Sequence, residues 1–134
     1  MANEAVIIQD LEDKYFQGVV ADGTSCEALS IMKFSSGDNI IEKSSADGDF
    51  FAGILVAAKT ASDGMTKMSL HRHCVAALKL GTDSTATQGH FAKIVGANLV
   101  ANEDDASVTG TGERVGLFLK DGTASQTVAV LVGA

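Results

Sequence analysis

The chain has 134 residues, of which 46% are apolar and 20% charged, a balance that fits one folded core or two small lobes sharing one and excludes disorder. Its net charge is −7, with ten basic residues scattered among seventeen acidic ones, so no basic stripe is present to neutralise phosphates and no nucleic-acid partner is expected. No apolar run approaches the roughly 20 residues that span a bilayer, and the opening "MANEAVIIQDLEDKYFQG" carries acids inside its apolar stretch, so neither a membrane partner nor a secretory signal is expected and synthesis in a cytoplasm is.

Residues 1–22 have a texture of their own. Val6, Ile7, Ile8, Leu11, Tyr15, Phe16 and Val19 recur near helical spacing with acids between them, which predicts an N-terminal arm or short helix, capped by Asn3 and ended by Gly18. Such a segment either covers the protein's own core or lies on another subunit, and in the second case Val6, Ile7, Ile8, Leu11, Tyr15 and Phe16 are the candidate interface.

Residues 23–134 read as a β domain. "EALSIMKF" is a strand that ends at the turn cluster "SSGDN", and "NIIEK" is a short apolar pair before another turn. "FFAGILVA" is a nearly continuous apolar run, as in a strand buried on both faces. "TKMSLHRH" alternates polar and apolar residues, and "CVAALKL", "HFAKIV", "NLVA", "RVGLFL" and "TVAVLV" follow, separated by the polar loops "GTDSTATQG" and "NEDDASVTGTGE". Strand–turn–strand at this spacing predicts a mainly β protein, a small sandwich or barrel-like module. There is no proline, so Gly, Asn, Asp and Ser must make the turns.

Chemistry is sparse. In "HRHC", His71 and His73 would share one strand face and Cys74 the other, which supplies two ligands where a structural zinc needs four; His90 and Cys26 are not fixed nearby. Neither a metal site nor a catalytic one is therefore assigned. Cys26 and Cys74 lie in no disulfide framework and read as small buried apolar residues. The glycines of "TGTGERVG" precede a strand instead of opening a helix, so they are no dinucleotide fingerprint.

The strongest signal is an internal echo. "GILVAAKTAS" (Gly53–Ser62) returns as "GLFLKDGTAS" (Gly116–Ser125), with Gly53/Gly116, Thr60/Thr123, Ala61/Ala124 and Ser62/Ser125 identical. If two extra residues are allowed in the first copy, Thr66 meets Thr127 and Leu70 meets Leu131. The repeated unit is a buried strand, a small-residue loop and a second strand, over about residues 50–72 and 114–133, and it predicts a pseudo-symmetric β structure.

"RVGLFLKDGTASQTVAVLVG" resembles the closing strand pair of the capsid cement, or head decoration, proteins of tailed bacteriophages. "HCVAALKLGTDSTATQGHFAKIVGANLVANEDD" resembles the preceding segment of that family, and "SIMKFSSGDNIIEKSSADGDFFAGILVAA" an earlier copy of the same unit. The resemblance implies a structural virion protein without enzymatic activity or cofactor. It would bind the major capsid protein on the outer surface of the shell, commonly as a homotrimer, and bridge neighbouring capsomers. The N-terminal candidates Val6 to Phe16 would then face the capsid or a second subunit. Two other classes share the composition. One is a lipoyl- or biotinyl-type carrier domain modified on Lys59, since Lys59 in "AAKTAS" resembles a swinging-arm lysine on a symmetric β fold; the second copy has Gly122 there. The other is a phage tail or fibre β module.

Overall fold

The computed structural model describes residues 5–10, 15–103 and 114–133. Among them every regular element is a strand: β1 (Val6–Asp10), β2 (Tyr15–Val19), β3 (Ile31–Phe34), β4 (Ile41–Lys43), β5 (Phe51–Leu55), β6 (Lys67–His71), β7 (Cys74–Leu80), β8 (Phe91–Gly96), β9 (Leu99–Asn102), β10 (Arg114–Phe118) and β11 (Thr127–Val132). The fold is all-β, as the alternation and turn chemistry require. β5 is buried at every position, as its unbroken apolar run predicts. β7 and β11 alternate buried and half-exposed residues along most of their length.

The strands form two sheets with one wiring. The first runs β2-β6-β5-β3-β4, and the second β1-β7-β11-β10-β8-β9. Each curls until its ends meet in a short parallel contact: Val19 opposite Ile40 in the first, Lys79 and Leu80 opposite Leu99 and Val100 in the second. With β1 set aside, each is a five-stranded barrel-like unit in which β2 to β6 correspond one by one to β7 to β11. The correspondence holds in detail. A bridge joins Cys26 to Lys59 in one unit and Ala86 to Gly122 in the other. The turn asparagines Asn39 and Asn98 both have positive φ (59° and 58°), as do the turn serines Ser62 and Ser125 (61° and 63°).

The cores match as well. Val20, Cys26, Met32, Ile41, Ala52, Leu55, Met68 and Leu70 fill the first unit. Their counterparts Leu80, Ala86, Ala92, Val100, Val115, Phe118, Val128 and Val130 fill the second. Size is traded within the set: Met32 with Ala52 becomes Ala92 with Val115, and Leu55 becomes Phe118. Identity drifts while every position stays apolar, which packing tolerates well when the set changes together. Cys26 and Cys74 are both free and buried, and burial pushes the Cys26 thiol up, as expected of small core residues.

The repeat is therefore wider than the echo, and its alignment after "TAS" needs correcting. The first copy carries three extra residues, Asp63, Gly64 and Met65, so Met68 and Leu70 match Val128 and Val130. Pairing Leu70 with Leu131 is one residue out. A slip of one residue moves a side chain to the opposite face, and Leu131 is half-exposed where Leu70 is buried.

The N-terminal helix is also corrected. Residues 6–10 and 15–19 are strands, and Gly18 lies inside β2 opposite Met68 instead of ending a helix. The near-helical spacing is overridden because β6 and the N-terminal half of β7 offer ladder partners along each strand.

The units are welded without a linker, since only Arg72 and His73 separate β6 from β7. Ile31, Phe51 and Ile54 of the first unit join the core of the second. A polar clasp sits beside them. Ile31 N–H donates to Asn98 Oδ1 (2.7 Å), Asn98 N–H to Ser44 Oγ (3.0 Å), and the Ser44 hydroxyl to the Gly96 carbonyl (3.1 Å). Arg72 donates to the Ala52 carbonyl (2.8 Å), and Gly48 N–H to that of Ile94 (3.3 Å).

Candidate interaction surface

Among the described residues, β1 and β2 each have an edge without a continuous ladder partner. β1 is hydrogen-bonded on one side, to β7, from Val6 opposite Ala77 to Asp10 opposite Cys74. β2 is bonded along its length to β6, and among the described residues its other edge makes one bridge, Val19 opposite Ile40. Val19 N–H donates to the Asn39 carbonyl on that other side, whereas Val20 N–H turns to Thr66 beside β6. Backbone groups alternate along an antiparallel strand, so the N–H and C=O of Tyr15 and Gln17 point to the open edge.

In the second unit the equivalent edge is filled. β1 lies along residues 74–77 of β7, of which 75–77 correspond to 15–17 of β2. The end of the unit beside it is sealed: Ala76 and Ile94 are fully buried. Their counterparts at the unfilled edge are Phe16 and Phe34. Phe16 is half-buried against the first core and meets Phe34 edge-to-face, with ring centroids 5.6 Å apart. Phe34 is 39% exposed, and Phe50, whose carbonyl accepts the Phe34 N–H, is 55% exposed. Three of the six phenylalanines thus gather at one uncovered end.

The sequence-predicted interface divides accordingly. Val6 is exposed (57%) on β1. Ile7 and Ile8 follow it in β1, and Tyr15 opens β2, but their side chains, like the whole of Leu11, lie outside the described residues. Phe16 belongs to the aromatic end. Phe34 and Phe50 were missed, because each ends or begins a run that reads as a buried strand. The signal was available in the repeat: aligned with the second unit, Phe34 stands where Ile94 does, and a bulky aromatic at the rim of one copy alone marks a difference in what covers it.

Lys59 is not presented for modification. Its side chain is fully enclosed, and Nζ donates to Asp63 Oδ1 (2.6 Å) and Asp22 Oδ1 (2.9 Å). Burial works to lower the pKa of Lys59, but the two carboxylates outweigh it and hold the ammonium charged. The Lys59 hydrogen bond lowers both partners, assisted by Gly64 N–H at Asp22 and by Met65 N–H at Asp63. The site is a structural ion triad tying two loops together. A carrier lysine must reach out from an exposed hairpin tip, so the carrier-domain alternative fails here. The second unit has no such triad, because Gly122 carries no amine and the insert that supplies Asp63 is absent; a Cβ at Gly122 would stand 2.5 Å from Val128 Cγ2.

His71 and His73 do not share a strand face either, since β6 ends at His71 and Arg72–His73 form the link to β7. Among the described residues no three His, Cys, Asp or Glu side chains gather to hold a metal ion. Nor does any helix among them have the length and apolarity to cross a membrane.

No protein-family model and no curated protein matches this chain. A solved structure does: the head fibre gp8.5 N base of bacteriophage phi29, with a TM-score of 0.54 over 89% of this chain and 92% of that one, at 17% sequence identity. At that identity the likeness is one of fold. The neighbour is a fibre base, whereas the sequence resemblance is to cement proteins.

Proposed function

We propose that this chain is a structural protein of a phage virion, attached to the outer surface of the head. The observation that supports it most is the match in fold, nearly end to end on both chains, to a phage head-fibre base. The sequence resemblance to head decoration proteins leads to the same place independently. In this reading the chain works by binding alone, with neither catalysis nor a cofactor. It contacts the major capsid protein, bridges capsomers and assembles as a trimer, and nucleic acid and membrane take no part. A ligand that binds only the assembled lattice stabilises it by mass action, and repetition over many sites multiplies a modest contact.

The fold match also favours a second form of the same reading, in which the chain is the base from which a fibre projects. Cryo-electron images of particles with and without the protein separate the two. Density lying flush between capsomers on the outer surface, with particles that resist heating better, supports the bridging form. Density that projects from isolated positions supports the fibre base. Particles with no outer density attributable to the chain overturn both.

A further inference from the structure

The two units differ in one respect that their wiring does not explain. The edge of β7 at residues 74–77 is filled by a strand, and the equivalent edge of β2 is open and rimmed by Phe16, Phe34 and Phe50. Open edges are normally guarded by lysine, proline or a bulge that turns the strand away. β2 reads "YFQGV", with no charge, no proline and a regular register along β6. β1 reads "VIIQD"; its outer edge carries no lysine or proline, it has a register shift between Ile7 and Gln9, and Val6 is exposed at its start.

We propose that the open edge of β2 is filled by β1 of a second copy of this chain, which stays seated on its own β7 and uses its outer edge for the new pairing. Copies then join head to tail, the second sheet of one continuing into the first sheet of the next. Three observations choose this occupant. A strand of this sequence already fits the sister slot. Both free edges belong to the same chain, so the pairing gains backbone hydrogen bonds on each side and gives up none. The exposed apolar side chains lie at both contact strips, Val6 at one and Phe34 with Phe50 at the other. The strips are also nearly free of the acidic charge that makes copies repel, Asp10 being the single charged residue of the two strands. Such a contact uses different surfaces on the two partners, the kind that closes into rings when its rotation allows. The inference rests on the self-assembly in the proposed function and not on attachment to a particle.

The test uses the full-length chain in sedimentation equilibrium, with circular dichroism as the check on folding. Gln17→Pro removes the N–H that points out of β2 and leaves the ladder to β6 intact. Phe50→Glu, an exposed position, charges the rim without touching the backbone. Val6→Glu charges the β1 strip, and Leu119→Lys, exposed elsewhere, is the control. The parent chain and Leu119→Lys are expected to associate. Gln17→Pro, Phe50→Glu and Val6→Glu are each expected to weaken association at least about tenfold, equivalent to about 1.4 kcal/mol. Mixed, Phe50→Glu and Val6→Glu keep one good strip each and are expected to form one-to-one dimers that grow no further. A parent chain that stays monomeric, folded variants that associate as the parent does, or a mixture that stays monomeric overturns the proposal. If the chain is monomeric but Gln17→Pro loses its place on particles, another protein fills the slot, which also overturns it. A chain that associates as expected but never appears on particles sinks the virion reading and leaves this one standing.

Discussion

An alanine methyl at Gly116 would collide with the Leu131 carbonyl oxygen, and one at Gly53 would stand 2.7 Å from Leu70 Cβ and 3.0 Å from the His71 carbonyl. Each glycine sits beside a register shift, with Ala52 or Val115 as the extra residue, where β5 or β10 bends over the following strand. Gly116→Ala meets backbone, which cannot rotate away, so its cost is expected at the upper end of the roughly 1–3 kcal/mol of overpacking. Gly53→Ala meets Leu70 Cβ, which is fixed to the backbone, and places a side chain at a φ of 155° that L residues rarely adopt, so it should cost as much; urea melts of the two variants check both. The shared Thr and Ser of the echo have the same kind of reason. Thr60 N–H donates to Asp63 Oδ2 (3.1 Å) and Thr123 N–H to Gln126 Oε1 (2.8 Å), closing turns whose third residue is Ser62 or Ser125. The two glycines were legible in the sequence because backbone geometry demands the same chemistry twice, and the Thr and Ser mark the same turn in each unit. The Lys59 triad was not, since Asp22 lies 37 residues from Lys59 and nothing local announces it. Its effect on pH dependence follows from sign. Asp22 and Asp63 are depressed in the fold, so their contribution is present above the ordinary carboxylate pKa and is lost as pH falls through their lowered values. Lys59 is raised, so its part is complete below its ordinary pKa and lost only in strong alkali. Lys59→Met should therefore lower the melting temperature at neutral pH and flatten its fall below about pH 4. A melting curve in acid as steep as the parent's would contradict this.

At the level of elements, the join between the units is carried by the β3–β4–β5 side of the first and the β8–β9 turn of the second. Ser44 is buried, and its hydroxyl both accepts from Asn98 N–H and donates to the Gly96 carbonyl. Ser44→Ala leaves those groups without it in a half-buried place, at an expected cost of about 1–3 kcal/mol. Its signature should be hydrogen exchange that rises first at the β8–β9 turn while the two cores stay protected. The contact is not reciprocal: Asn98 holds Ile31, but Asn39, its counterpart, is exposed at a hairpin tip. β1 and β2 also differ in standing, although they looked like one segment in the sequence. β2 closes the first unit, whereas β1 is an addition to the second. Removing residues 1–10 is expected to leave both units folded with a lower melting temperature, and removing residues 1–18 to unfold the first. Far-ultraviolet circular dichroism melts of the two truncations would show it. The strands themselves were readable: β7 and β11 coincide with "CVAALKL" and "TVAVLV". The N-terminal pair was misread because helical spacing is a property of one segment alone, and its strand partners are distant in sequence, the nearest pair being Val19 and Lys67.

Over the whole molecule, composition and periodicity disclosed an all-β chain with a duplicated piece. Closure into two units, and the unequal covering of their edges, was not readable, because both depend on which distant strands meet. The arrangement around β7 has a mechanical consequence. β1 and β11 flank it and both run antiparallel to it, the first entering at Val6 beside Ala77 and the second leaving at Val132 beside Cys74. A pull applied at Val6 and Val132 along the strand axis drags the two flanking strands in opposite directions past the one between them. The hydrogen bonds of both ladders then share the load together, in shear, instead of parting one after another as in a zipper. Single-molecule stretching from these two points is expected to need a markedly higher rupture force than pulling across the sheet, since forced unfolding is set by the barrier and not by equilibrium stability. Equal forces in the two directions would refute it. Under load, the chain is expected to yield least along the line joining its first strand to its last.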